Sequence, residues 1–492
     1  MIKKIFGPPG TGKTTTLLNH VDRYIKNGTP LHKIGYFAFT RKAANEAKER
    51  MLERNPKLDK KDLRYFQTLH SFAFHTLGMS EDNVMQPVHY EQIGKELNLR
   101  VTDSGDESGY LEFNSEYFKL INKARVKDIS VESEFNTNEW SRDVDYETLG
   151  HIYLNYNYYK KQNHLDDFND MIERFVIQKE KCKEFDVIFI DEAQDLSPIQ
   201  WKMFDILKEK SKDIYLAGDD DQAIFAWAGA DVKRFIEEPA EEIILRHSNR
   251  IPPEVQNLAN VILGRIKTRK QKDYLPKTRV QGSVQHIYNM DHINLLSGNW
   301  LILTRTVYRS DEISKQLKES NLYFKSRFGK SYNTKLYKAI LNWSDLCKGE
   351  RISLSDAKDM YEYLAENLNE SKFKNETHVS MDNLGFHKNE LWYEKFIHAD
   401  QDECFYIRTM LSRGEKLSQL PKIEVSTIHA AKGGECQNVI LVLDNAKKIR
   451  ESIENNIEKA DEEHRVWYVG ATRAKENLYL LKPKKERYGY SL

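Results

Sequence analysis

The residues best equipped for chemistry stand at the start of this 492-residue chain. Gly7-Pro8-Pro9-Gly10-Thr11-Gly12-Lys13-Thr14 is a complete G-x-x-x-x-G-K-T run, followed by Thr15. The apolar run Ile2–Phe6 ahead of it predicts a strand, and Thr15–Ile25 predicts a helix, which is the context such a loop requires. Its glycines let backbone N–H groups curl around phosphates, and the helix N-terminus adds a favourable dipole. Lys13 can reach β- and γ-phosphates, and the Thr14 hydroxyl can ligate Mg²⁺. A second constellation, Asp186–Asp195, is a hydrophobic strand ending in Asp191-Glu192. Asp191 can hold the same Mg²⁺, and Glu192 can orient and deprotonate an attacking water. Together they predict a site that takes a nucleoside triphosphate and Mg²⁺ and hydrolyses the nucleotide.

These groups need strands and helices to hold them. Short apolar runs at Ile2–Phe6, Ile34–Phe39, Asp186–Ile190, Ile214–Ala217, Trp300–Leu303, Asn438–Leu443 and Leu478–Leu481 lack alternation, as expected of parallel strands covered on both faces. Helical patterns such as Ala43–Arg54, Glu254–Leu263 and Asp311–Glu319 lie between them, so the fold class is α/β. The strands fall into two groups, which predicts two cores. The first is expected over 1–75 and 166–252, the second over 253–330 and 411–492. The mainly helical stretches 76–165 and 331–410 read as insertions into them.

Lys plus Arg and Asp plus Glu number 75 each, so the net charge of zero excludes an overall basic coat but not a local basic groove. No apolar run approaches the roughly 18 residues of a membrane helix, and no signal peptide is visible at the start. Cys182, Cys347, Cys404 and Cys436 form no C-x-x-C pair, which argues against a zinc or iron–sulfur site and fits a cytoplasmic protein. One basic stretch, 261–280, carries seven Lys or Arg against one acid. It is expected to be a solvated connecting helix, with a track for DNA phosphates as the alternative.

Seven blocks in order carry a resemblance: GPPGTGKT, FTRKAANEAKER, TLHSF, DEAQDL, GDDDQAIFAWAGA, STIHAAKGGE and EEHRVWYVGATRAKENLYL. The chain resembles superfamily 1 DNA helicases of the UvrD/Rep/PcrA type. The resemblance implies two RecA-like cores with the nucleotide in a cleft between them. Phe39, Thr40 and Arg41, and then Thr68 and His70, resemble segments that touch single-stranded DNA. Gln222 resembles the sensor of the γ-phosphate, and Phe225 and Trp227 resemble aromatics that stack on bases without reading sequence. Ala228 stands where the family usually has arginine. Arg250 matches a γ-phosphate contact expected to face the phosphate loop from across the cleft, and Asn249 replaces a tyrosine that stacks on adenine. His429 and Lys432 would meet DNA or phosphate, and Glu435 the ribose. Arg465 and Arg473 match the last block, with Arg473 as the arginine finger.

The resemblance thus implies an ATP-dependent single-stranded-DNA translocase and helicase of 3′→5′ polarity, engaging single strands and duplex junctions, in repair or replication. Only Met1–Phe6 precede Gly7, so a small form lacking the family's N-terminal adenine-recognition segment is expected, with weak discrimination among nucleoside triphosphates. Only 19 residues follow Arg473, so no appended nuclease domain is expected. The alternatives are a protein-stripping translocase with weak unwinding and a nucleotide-gated DNA-binding subunit serving a nuclease or defence complex.

Overall fold

The computed structural model describes residues 1–492 except 102, 106–110, 138–143, 366, 367, 369, 374 and 375. The chain divides into two compact units. The first comprises Met1–Gln281 and Glu451–Thr472, the second Gly282–Arg450 and Arg473–Leu492.

Six parallel strands form the sheet of the first unit. Their spatial order is Phe66–Gln67, Ile34–Phe37, Phe185–Ile190, Ser211–Gly218, Ile2–Phe6 and Glu241–Ile244. The central strands are apolar on both faces because helices cover both. Leu17, Leu18, Val21, Ala44, Ala47 and Met51 pack on one side with Ile5, Tyr36 and Phe189. Phe72, Ile172, Phe175, Met203 and Phe204 pack on the other with Phe6, Phe37 and Ile188. The C-terminal ends of Ile2–Phe6, Ile34–Phe37, Phe185–Ile190 and Ser211–Gly218 share one edge, where ligand sites of open α/β sheets lie. The phosphate loop, Phe39, Asp191 and the Asp219–Gln222 turn all follow these ends.

The seven-stranded sheet of the second unit has the order Gly329–Lys330, Phe324–Ser326, Ile423–Thr427, Trp300–Thr304, Cys436–Val442, Ala474–Leu481 and Ser283–Ile287. It is parallel except for the hairpin of its first two members. The architecture is therefore α/β with two largely parallel sheets, as the strand pattern implied, and RecA-like, as the resemblance implied.

Within 76–165, helices Pro87–Glu96, Glu116–Val126 and Tyr146–Gln162 build their own core around Tyr90, Phe118, Ile121, Leu149 and Tyr156. Within 331–410, Thr334–Cys347, Leu354–Tyr361 and Gln401–Ser412 close around Trp343, Met360, Phe396 and Ile407. Parts of both stretches lie outside the described residues. Among the described residues, no helix is long and apolar enough to cross a membrane.

Two sequence expectations differ from the structure. Helix Pro253–Leu263 and residues up to Gln281 belong to the first unit, where this helix packs against helix Ile457–Ala471. The boundary thus falls at 281/282 and not at 252/253, because both helices bury apolar faces on each other. The basic stretch 261–280 is not one solvated helix, and its basic residues divide: Lys267 and Arg279 are exposed, while Arg269 and Lys272 turn inward. Past Leu263 it runs irregularly, and Arg269 and Lys272 are buried against Asp219, Asp220 and Asp221. A charge count over a window does not register that the partners lie 50 residues away.

Candidate functional site

The phosphate loop links strand Ile2–Phe6 to helix Lys13–Lys26. Gly10 and Gly12 take φ of 74° and 81°, a region that side chains disfavour. Gly7 allows a close approach instead, since a Cβ there would fall 2.0 Å from Lys13 Cγ. The Lys13 ammonium donates to the Gly7 carbonyl at 3.0 Å and lies 3.8 Å from Glu192 Oε1. Thr11 closes the turn by donating its hydroxyl to the Pro8 carbonyl at 2.8 Å. Thr15 is exposed in the first turn of the helix.

Strand Phe185–Ile190 delivers Asp191 and Glu192 beside this loop. Asp191 is buried and accepts from the Thr14 hydroxyl at 2.7 Å and the Tyr36 hydroxyl at 2.9 Å. Burial, then the neighbouring Glu192 carboxylate, holds the Asp191 carboxyl above the usual carboxylate range. A divalent cation at this hydroxyl–carboxylate pair would offset both effects, so the residues present fit Mg²⁺. Glu192 has φ 55°, a left-handed conformation rare for a side-chain-bearing residue. Strain of this kind costs about 1–3 kcal/mol and clusters at functional sites.

Gln194, fully buried, connects the two acidic turns. Its amide donates to Glu192 Oε2 at 2.6 Å and Asp195 Oδ2 at 3.0 Å, and its carbonyl accepts from Asp219 N at 2.9 Å. Gln222 in turn donates to Asp219 Oδ2 at 2.7 Å. A chain of hydrogen bonds therefore runs from Glu192 to Gln222. The sequence reading missed Gln194 and Tyr36; the DEAQ run contained Gln194, but its partner Asp219 is 25 residues distant.

Arg250 was expected to face the phosphate loop from across a cleft, and the structure corrects this. Its loop lies against the phosphate loop within the same unit: Ser248 donates its hydroxyl to the Pro9 carbonyl at 2.7 Å, and Asn249 N donates to the Gly10 carbonyl at 2.9 Å. A Cβ on Gly10 would sit 2.3 Å from Arg250 Cβ, so only glycine permits this approach. Arg465 is likewise in the first unit, on helix Ile457–Ala471, where its Nε donates to the Asp220 carbonyl at 2.8 Å.

Of the residues expected at DNA, Thr40 and Thr68 cap helices Arg41–Arg54 and Leu69–Leu77, accepting from Ala43 N and Ser71 N. Arg41 is exposed at the start of its helix. Burial, with Arg41 beside it, pushes the His70 imidazole down to about 4, so it is neutral at pH 7. Phe39 and Phe225 are buried and stack on each other, centroids 5.5 Å apart. Trp227, edge-on to Phe225 at 6.3 Å, is 43% exposed. This aromatic run thus ends in one ring presented to solvent and two that support it.

In the second unit, the block Thr427–Glu435 follows strand Ile423–Thr427. Burial, then Arg305 and Lys432, pushes His429 down to about 3. Glu435 pairs with Lys475 at 3.0 Å. Arg473 is buried, and its Nη1 donates to the Gly434 carbonyl at 3.1 Å, so the last two sequence blocks meet within this unit.

Comparison with known proteins places the chain's relatives among DNA helicases. The model for the UvrD/REP helicase N-terminal domain matches residues 3–241, and that for the UvrD-like helicase C-terminal domain matches 422–481. A Mycoplasma pneumoniae protein called "Probable DNA helicase II homolog" is 24% identical over 591 aligned positions, covering 97% of this chain and 81% of that protein. The ATP-dependent DNA helicase PcrA of Staphylococcus aureus is 26% identical over 311 positions, 58% of this chain and 40% of its own length. Its Staphylococcus epidermidis counterpart is 26% identical over 293 positions, 54% and 38% of the two chains. The chain therefore spans most of the first relative and about two fifths of the length of the other two.

Proposed function

The chain belongs to the UvrD/Rep family of superfamily 1 ATP-dependent DNA helicases, and from that premise we propose a motor that tracks along single-stranded DNA 3′→5′ and opens duplex junctions. The observation that carries this reading is the hydrogen-bonded run from Glu192 through Gln194 and Asp219 to Gln222, three residues before the Phe225–Trp227 aromatics. It connects groups suited to ATP hydrolysis with a ring suited to a base.

Lys13 and the backbone of Gly7–Gly12 bind the phosphates, and Thr14 and Asp191 hold the Mg²⁺, which neutralises phosphate charge when bound. Glu192 Oε1 and Oε2 orient the attacking water and receive its proton. Gln222 senses the γ-phosphate, and Arg250 and Arg473 contribute guanidinium charge to the transferred phosphoryl group. Glu435 serves the ribose. On the DNA side, Trp227 supplies the stacking face with Phe225 and Phe39 behind it. Arg41, Thr40, Thr68, His70, His429 and Lys432 supply polar contacts to the strand, the two imidazoles as neutral hydrogen-bonding groups.

Every base offers a π-face, so Trp227→Ala is expected to weaken single-stranded DNA binding by about 1–3 kcal/mol. The loss should be similar on oligonucleotides of different composition, read by fluorescence anisotropy. A lowered melting temperature with affinity intact would make Trp227 a packing residue.

The direction of travel rests on likeness to one branch of the family, since no residue spacing sets polarity. Unwinding of duplexes with single 3′ or 5′ overhangs tests the proposal directly. Faster opening from the 3′ overhang is expected; preference for the 5′ overhang would reverse the polarity, and no opening of either would remove the helicase reading.

A further inference from the structure

Three consecutive carboxylates, Asp219, Asp220 and Asp221, are buried together at the end of strand Ser211–Gly218. Their oxygens lie close enough to hold a cation, and one is already there. Lys272 Nζ lies 3.1 Å from Asp219 Oδ1 and 2.9 Å from Asp221 Oδ2, and it also donates to Asp220 Oδ1. Burial disfavours this ammonium, but the three carboxylates outweigh it and hold Lys272 above its usual range.

The ties continue outward. Arg269 clasps Asp221 with two bonds, Nε to Oδ1 and Nη2 to Oδ2, both at 2.7 Å. Lys270 N donates to Asp220 Oδ2 at 2.8 Å. Arg465 bridges the Asp220 and Thr268 carbonyls. Asp461, one turn earlier on the same helix, accepts from Lys267 N and Thr268 N, each at 2.8 Å. Residues 267–272 thus form a strap between the Asp219–Gln222 turn and helix Ile457–Ala471, and that helix ends two residues before Arg473.

We propose that Lys272 is a positioning residue for coupling: its ammonium, seated among Asp219–Asp221, locks the turn carrying Gln222 so that nucleotide state and the grip of Trp227 on DNA change together. The turn has backbone ties of its own, Gln222 N to the Asp219 carbonyl at 2.8 Å and Asp221 N to Asp219 Oδ1 at 3.3 Å, but three adjacent buried carboxylates repel one another and work against them. Lys272 and Arg269 offset that repulsion. Asp219, held by Lys272 on one oxygen, presents the other to the Gln222 amide. Loosening this turn leaves the phosphate loop and the Trp227 ring in place and degrades the connection between them.

This inference rests on the proposed reading as a DNA-stimulated motor, and one experiment separates the two. Steady-state ATP turnover is measured with and without a single-stranded oligonucleotide for wild type, Lys272→Met, Lys272→Arg and the double variant Lys272→Met/Asp220→Asn, alongside ATP KM, DNA affinity and melting temperature. Lys272→Met is expected to lower DNA-stimulated kcat at least about tenfold, with ATP KM and DNA affinity within about threefold of wild type. Lys272→Arg, which keeps a cation among the carboxylates, is expected to retain most of the stimulation. The double variant restores the charge balance without restoring the ties, and is expected to stay uncoupled. Recovery of wild-type stimulation in it would overturn the proposal and leave Lys272 a neutralising charge only. A lower melting temperature with stimulation unchanged would overturn it equally. Where removal of Lys272 costs the fold, Arg269→Lys carries the same test: it keeps the charge and loses the two-point clasp, so weaker stimulation supports the proposal and unchanged stimulation defeats it. Wild-type turnover that ignores DNA would instead defeat the motor reading.

Discussion

Arg473→Ala is expected to lower kcat for ATP hydrolysis by about 10³–10⁵ while leaving nucleotide affinity within about tenfold, the size of effect that an arginine finger has in other nucleotide hydrolases. Arg473 is buried in the second unit and anchored to the Gly434 carbonyl, so its guanidinium is held in one orientation and pays little entropy on use. Arg473→Lys keeps the charge but loses the planar fork, and is expected to recover little of the rate. Removing a buried arginine can also cost stability, so the variants are compared by melting temperature and by equilibrium binding of a non-hydrolysable nucleotide. A rate near wild type in Arg473→Ala would assign the residue to packing of the Thr427–Glu435 block alone.

Glu192→Gln is expected to keep nucleotide binding and cut hydrolysis by at least about 10², the contribution of a positioned general base. The substitution is nearly isosteric and keeps the hydrogen-bonding shape of a side chain whose backbone sits at φ 55°. Single-turnover hydrolysis checks it. A fall in affinity with kcat unchanged would show that Glu192 binds ground state and transition state equally and takes no proton.

Strands whose chemistry is simple were legible in the sequence. Trp300–Thr304 is an almost wholly apolar run, and Phe185–Ile190 is one but for Asp186, because helices cover both sheet faces; Ile2–Phe6 keeps apolar residues at both ends around Lys3 and Lys4. Others carry no such signal. Ile423–Thr427 is an interior strand, yet it reads Ile-Glu-Val-Ser-Thr, with Glu424 exposed and paired to Lys325 at 3.9 Å. Glu241–Ile244 is an edge strand with two exposed glutamates, and Phe66–Gln67 is only two residues long.

The candidate site shows the same division. The phosphate loop and Asp191-Glu192 were legible because their chemistry is local in sequence. The chain through Gln194 to Asp219 was not, nor was the placement of Lys272 and Arg269, since each depends on two distant segments meeting. Arg250 shows the converse. Its motif pointed to phosphate from across a cleft, whereas its close approach to Gly10 and the bonds of Ser248 and Asn249 to the phosphate loop keep it within the first unit.

The central claim is that nucleotide hydrolysis in this chain is driven by single-stranded DNA. The most direct measurement is ATP turnover by the purified chain, titrated with a single-stranded homopolymer and, separately, with closed circular duplex. Turnover is expected to rise at least about tenfold on the single strand, equivalent to about 1.4 kcal/mol off the barrier, and to respond far less to duplex without ends. Turnover that is the same with and without the single strand would contradict the claim.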